Sequence, residues 1–435
     1  MDPILVAVLG IVLLFVLIAL HVPIGVAMGL AGVTGFAMLA GIDPAIAIPG
    51  IEAVTAFESL DLAIIPLFLL MGSLAAVSGL SADLYGLANA FLGHRRGGLA
   101  YATVGGSGAF GAVCGSSIAT VATMSRVALP QMLERGYRPS IAAGSVAAGG
   151  TLGIVIPPSL ILVIYAILAD QFVLAIFAAA AVPGILAALF QLGAVAVYAR
   201  LYPEAVPARS RVPWAERWQT VKQAWAVILL GLVVTVGIYG GIVTVTEAAA
   251  LGAAAAFVLT LARGRLSRTV MAQVARETAI NSGMIYVIII GAFAFSYFLT
   301  LSGLPEVLVT GIGGFDVPPL VIILSLYAMY LLLGAVFESV AALVITLPFV
   351  LPIITFLGYD PVWWGVMLVM ISGLGMITPP IGMNVFIIHG MNPQIPLGQI
   401  FRGTVPFFIA DILRILLLTL LPGLVLWLPR VMGML

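Results

Sequence analysis

Runs of apolar residues near the ~20 needed to cross a bilayer follow one another along almost the whole chain. The pattern predicts crossings over residues 4–20, 23–40 and 62–79, then an amphipathic arm at 81–92. A helical hairpin at 97–135, a helix broken near its middle over 139–169 and a span at 172–199 complete a first half, residues 1–222, which ends in a basic linker at 200–222. The second half, 223–435, repeats the plan. Spans are expected at 226–241 and 243–262, an arm at 266–279, a span at 282–301 and a short segment at 304–315. A second hairpin at 317–357, a broken helix at 361–389 and a last span at 405–428 follow. The expected fold class is therefore an all-α polytopic membrane protein.

Orientation comes from the arginines. Arg95, Arg96, Arg135, Arg138, the 200–222 linker and the stretch from Arg263 to Arg276 mark one side, which the positive-inside rule makes cytoplasmic. Asp43, Glu52, Glu58, Asp61, Asp170, Glu306, Asp316 and Asp360 gather in the other gaps. The segment 97–135 begins and ends beside arginines, so it is expected to re-enter the side it left. The segment 317–357 lies between Asp316 and Asp360, so it is expected to open outward.

Adding 222 to a residue number lays one half on the other. Ser117 falls on Ser339, Pro130 on Pro352, Gly136-Tyr137 on Gly358-Tyr359 and Pro139 on Pro361. Leu152-Gly153 falls on Leu374-Gly375, and Pro157-Pro158 on Pro379-Pro380. After a two-residue slip, Ser78-Gly79-Leu80 matches Ser302-Gly303-Leu304. The shared residues are mostly helix breakers, and the two hairpins open to opposite sides. Inverted repeats, each with a re-entrant hairpin and a broken helix, are the plan of an elevator-type secondary transporter with its site at the midplane.

Composition narrows the classes further. The chain is 63% hydrophobic and 8% charged, with a mean hydropathy of +1.25, far from soluble composition. The lone Cys114 excludes a disulfide framework and a cysteine metal cluster. Zero formal net charge gives no sign of nucleic-acid binding. Lys222 is the only lysine and follows no glycine loop, which excludes a P-loop ATPase. The 4–20 run lacks a basic start and leads into His21-Val22-Pro23, so it reads as a span rather than a cleaved signal. Trp214, Trp218 and Trp225 beside the linker arginines suit an interfacial helix.

Breaks at membrane depth expose backbone groups that lipid does not satisfy. The first half offers the hairpin tip at 114–117 and the break at 149–159, and the second offers a tip at 334–339 and a break at 372–380. Carbonyls released at helix ends, with Ser and Thr hydroxyls, suit a small hard cation such as Na+. Candidate ion ligands are Gly115, Ser116, Ser117, Thr151, Gly153 and Pro157, with Glu338, Ser339, Gly373, Gly375, Thr378 and Pro379 opposite. Helix N-termini facing the same place suit a carboxylate. Candidate substrate contacts are Ser117, Thr120, Thr123, Arg126, Pro158, Ser159, Pro380 and Asn384. Glu247 begins a span and serves either its own helix dipole or ion entry. Asp411 and Arg414 pair with each other or with a second subunit. His21, His94 and His389 have no metal-ligand spacing, and no catalytic triad or paired carboxylates favour an enzyme.

Several strings carry a family resemblance: 115–120 (Gly-Ser-Ser-Ile-Ala-Thr), Gly136-Tyr137, 153–158, 240–249 with its Thr244-Val245-Thr246-Glu247-Ala248-Ala249, and 373–380. Together they resemble the large membrane subunit of the tripartite ATP-independent periplasmic (TRAP) transporters, over essentially the whole chain. The chain has Val245 where that family often has Pro, and Glu338 where it often has Asp. The resemblance implies sodium-driven uptake of an organic acid in the bacterial inner membrane, with Na+ as coupling ion and no other cofactor. It also implies a small membrane subunit of about four spans and a soluble periplasmic binding protein as partners. A stand-alone dicarboxylate- or citrate-type carrier shares the same breaks and remains the alternative. A passive channel is disfavoured, because closed tips from both sides block a continuous pore.

Overall fold

The computed structural model describes residues 2–208, 211–314 and 317–435; Phe315 and Asp316, which the sequence places at an outer loop, lie outside the described residues. Every described element is helical. The first stretch comprises α1 (Pro3–Ala19), α2 (Ile24–Ala40), α3 (Ile42–Glu58), α4 (Ile64–Ser78) and α5 (Leu80–Leu92). The first hairpin is α6 (Gly98–Cys114), α7 (Ser117–Val127) and α8 (Leu129–Glu134). The first broken helix is α9 (Pro139–Val155) with α10 (Leu160–Leu168), bent by 41°. Then come α11 (Val173–Leu201), α12 (Trp214–Gln223), α13 (Trp225–Tyr239), α14 (Val245–Ala262), α15 (Arg268–Ser302) and α16 (Leu304–Gly313). The second hairpin is α17 (Pro319–Val336) and α18 (Ser339–Phe356), and the second broken helix is α19 (Pro361–Gly375) with α20 (Met383–Met391). The chain closes with α21 (Leu397–Leu420) and α22 (Gly423–Val431). Among the described residues six helices are long and apolar enough to cross a membrane, and up to nine if each bent pair is one span.

The 222 offset holds for helix ends as well as for residues. Added to 117 and 134, which bound α7 and α8 together, it gives 339 and 356, the ends of α18. The matched residues do the same local work. Gly136 and Gly358 take left-handed φ of 74° and 77°, which glycine adopts without a Cβ penalty. The following N–H groups of Tyr137 and Tyr359 reach back to Met132 and Ile354. At the other matched turn, the Ser78 and Ser302 hydroxyls donate to Ala75 and Leu299 and accept from the Leu80 and Leu304 N–H groups. Both Pro-Pro bonds are cis.

Four sequence expectations are corrected. The stretch 41–61, without an expected element between two spans, holds helix α3. Pro44 falls in its first turn, where no N–H partner is needed, and Glu52 is buried, accepting from the Tyr297 hydroxyl at 3.0 Å. The arm at 266–279 and span at 282–301 are one helix, α15, because no Pro or Gly interrupts 268–282. The last span starts at Leu397 rather than 405 and stops before Pro422, which lacks the N–H to continue it. Finally, the break at 149–159 is shorter: helix α9 runs through both glycines to Val155, and only 156–159 is irregular.

Packing separates the helices into two groups. In one, α2 lies along α15 and α4 along α14; in the other, the hairpins clasp the broken helices, with α21 against α9. Glycines set the closest approaches. A Cβ on Gly111 would lie 2.4 Å from Gly153 Cα, and one on Gly375 2.5 Å from the Gly334 carbonyl carbon. Each hairpin therefore meets its own broken helix backbone to backbone, the arrangement that small residues permit between membrane helices.

Candidate functional site

Both hairpin tips and both broken helices border one small space of about 50 Å³. From the first half it is lined by Gly115, Ser116, Ser117 and Ile118 of the tip and by Ile154, Leu160 and Ile161 beside the break. Glu338, Ser339, Val340 and Met376 line it from the second half. A space this small holds an ion or a few waters and falls well short of the several hundred Å³ of a typical organic-ligand pocket.

Each tip is built from its cap. Gly115 turns the first one with φ 63°, and a Cβ there would press to 3.2 Å from the Pro158 carbonyl oxygen. Ser116 then caps α7 by accepting from the Ala119 N–H, while its own carbonyl accepts from the Thr120 hydroxyl at 2.8 Å. The second tip is capped by an acid instead: Glu338 Oε2 accepts from the Val340 N–H at 3.1 Å. Its carboxylate is the only charged group lining the space. The first turns of α7, α10 and α18 all face inward, bringing partial positive charge and free N–H groups. Ser339 and Ser372 carry buried hydroxyl oxygens without a hydrogen-bond partner. A buried polar atom left unpaired is uncommon and costly; Ser339 lines the space, so a ligand oxygen or an ion would be accommodated there, whereas Ser372 lies within α19 away from it.

A second set of contacts staples the halves together. The Ser117 hydroxyl donates to Asn384 Oδ1 at 3.1 Å and accepts from Nδ2 at 2.9 Å, and that same nitrogen donates to the Ala147 carbonyl at 3.1 Å. Gly382, with φ 61°, donates its N–H to the Ala335 carbonyl, fixing the second break against the second hairpin.

The structure thus gathers Gly115, Ser116, Ser117, Glu338 and Ser339 at the space, with Thr120 and Asn384 one hydrogen bond behind. Other sequence candidates sit elsewhere. Gly153, Gly373 and Gly375 lie in the last turns of α9 and α19, beside the breaks, but do not line the space; each makes close contacts with a neighbouring helix. The Thr151 hydroxyl donates to the Ala148 carbonyl and accepts from Gln191 Nε2, and Thr378 donates to the Leu374 carbonyl. Ser159 donates to the Ile154 carbonyl. Pro157 and Pro158 are buried behind the first tip, whereas Pro379 and Pro380 are exposed. Thr123 and Arg126 lie farther along α7, and Arg126 is exposed. Glu247 closes a capping box with Thr244, in which each side chain accepts from the other's backbone N–H, and this settles it as a helix cap.

Sequence reasoning missed Gln191. Its amide donates to Ala148, Thr151 and Asp411, and Asp411 pairs with Arg414 at 3.1 Å, so a fully buried polar chain runs from α9 through α11 to α21. A lone amide inside the apolar α11 was the available signal.

Several long apolar helices, with two helical hairpins packed on two broken helices around one space, define a multi-pass membrane protein. Residues 11–424 match the family described as the tripartite ATP-independent periplasmic transporter, DctM component, and the chain belongs to it. It is 34% identical over 378 residues to the C4-dicarboxylate TRAP transporter large permease protein DctM of Pseudomonas aeruginosa, covering 87% of this chain and 88% of that one. It is 33% identical over 399 residues to the isethionate TRAP transporter permease protein DctMQ of Oleidesulfovibrio alaskensis, covering 92% of this chain and 62% of that one. These relatives are permeases, not enzymes. The Alcanivorax borkumensis YdaH transporter shares the fold, with a TM-score of 0.58 at 17% identity over 88% of this chain and 89% of that one.

Proposed function

We propose that this chain is the transport subunit of a sodium-coupled secondary system that takes up a small organic acid across the bacterial inner membrane. The observation that carries the reading is the meeting of both tips and both breaks at one ion-sized space that holds a carboxylate, Glu338, and an unpartnered hydroxyl, Ser339. A cation there gains hydroxyl and carboxylate oxygens, and the inward helix N-termini attract an anionic substrate beside it. The named substrates of the relatives, a C4-dicarboxylate and isethionate, are both small organic anions; a C4-dicarboxylate, sugar acid or keto acid fits the same charge logic here.

The two halves act as inverted repeats, the first hairpin opening to the cytoplasm and the second to the periplasm. The hairpins and broken helices move as one body against the group formed by α2, α4, α14 and α15. Substrate arrives from a periplasmic binding protein, and a small membrane subunit completes the complex, as family membership implies. Co-reconstitution in liposomes tests this: uptake of a labelled organic acid is expected only with an inward sodium gradient and both partners present. Sodium-driven uptake by this chain alone would establish the stand-alone carrier instead. Uptake indifferent to sodium would reject the coupling.

A further inference from the structure

The arginines at the base of the first hairpin are not used by the reading above. Among the described residues only two ion pairs form, Arg263 with Asp83 and Arg414 with Asp411, and neither includes Arg95, Arg135, Arg211 or Arg217. Arg217 of α12 lies over the rings of Phe91 and Trp214, 5.8 and 5.2 Å from their centroids. This stacking holds its guanidinium in place, yet its Nε has no partner, nor does Arg135 Nη1 or His94 Nδ1. Glu216, in the first turn of α12, pairs with none of them. Loss of hydration at His94, together with the nearby charges of Arg211, Arg217 and Arg95, holds its imidazole below the usual range, which sets these three arginines close around His94.

A cavity of about 380 Å³ opens next to it. Its walls are Gly93, Leu99, Arg135 and Tyr137 together with Pro207 and Ala208 of the linker. The linker forms one wall because its carbonyls at Ala205, Val206 and Pro207 accept from Arg138 N, Gly97 N and the Tyr137 hydroxyl. Trp214, Trp218 and Trp225 stand exposed on the adjoining helices, and indole rings of an interfacial helix sit at the boundary between headgroups and acyl chains.

We infer that this cavity and its arginines form a binding site for the phosphate headgroup of an anionic phospholipid, with the tryptophans placed against its acyl region. Arg135 holds the phosphate from the cavity wall, since guanidinium forks match phosphate oxygens, and Arg217, close to His94 beside the Gly93 wall, adds attraction at longer range. The lipid fastens α12 and the linker to the base of the first hairpin. A free phosphate lacks the acyl chains that meet the exposed tryptophans, which favours the lipid as occupant.

Native mass spectrometry of the intact chain, released from nanodiscs of equal phosphatidylglycerol and phosphatidylcholine, tests this. Selective retention of phosphatidylglycerol is expected, weakened about fivefold by each of Arg135→Gln and Arg217→Gln and unaffected by Arg430→Gln at the chain end. Unfolding temperature in lipid-free detergent serves as the folding control. Retention by the unsubstituted chain is also expected to fall as salt rises, a measurement that needs no variant. Equal retention of both lipids, undiminished selectivity in the double variant, or displacement by inorganic phosphate alone would each overturn the assignment.

Discussion

The two halves match in their helix ends about the tips but not in the side chains set there. In the first, the tip carries the Cys114 thiol and the Ser116 and Ser117 hydroxyls but no charge, its break is buried, and the polar side chains nearby have partners: Ser116 caps, Ser159 and Thr151 return to their own helix, and Ser117 holds Asn384. In the second, the tip is capped by an acid, the Ser339 and Ser372 hydroxyls are unpartnered, and Pro379-Pro380 is exposed. Duplicating a helix break supplies the geometry twice, while the chemistry was kept in one copy. The first half reads as the rigid wall of the site and the second as the part left open for a ligand.

That contrast can be broken experimentally, and the largest effect is expected at the brace behind the first break. Arg414→Leu strands the buried Asp411 charge and is expected to destabilise by about 3–5 kcal/mol. The double change with Asp411→Leu should recover most of that loss, as read by unfolding in detergent; equal losses would show that the pair does not brace the wall. Next come the glycine contacts. Gly111→Ala and Gly375→Ala each push a Cβ into a facing backbone at 2.4 and 2.5 Å, and both should lose about 1–3 kcal/mol. A large loss in one half only would mean that the two hairpins are not held alike.

At the open side, Glu338→Gln removes the sole charge lining the space, and the sodium concentration for half-maximal uptake should rise about tenfold while unfolding changes little. Unaltered sodium dependence would return Glu338 to being a helix cap alone. The smallest effect is expected at the first tip, where Ser116→Ala should cost about 1 kcal/mol of stability through the lost cap. A strong shift in sodium affinity there would place the ion nearer the first half than the present contrast implies.

Much of the architecture was legible because the bilayer makes it so. Backbone groups in lipid must pair within their own helix, so apolar length and the positions of Pro and Gly nearly dictate where helices run and stop. Hence helix pairs within 97–135 and 317–357 were readable, with Ser117, Glu338 and Ser339 standing where each pair turns. Where such signals compete, the reading failed: α3 hides its helix behind acids and prolines, and α15 fuses an arm and a span because nothing interrupts it.

By itself, then, the sequence determined the helical class, the duplication and the residues at each tip, since these depend on hydropathy and helix breakers, which are local. Only the tertiary structure decided which breaks stay helical, that Asn384 closes on Ser117 across the halves, and that Gln191 joins Thr151 to Asp411. Those pairings join residues far apart in the chain, and their energy lies in excluding water and lipid from facing surfaces. No local pattern of residues encodes which distant surfaces will meet.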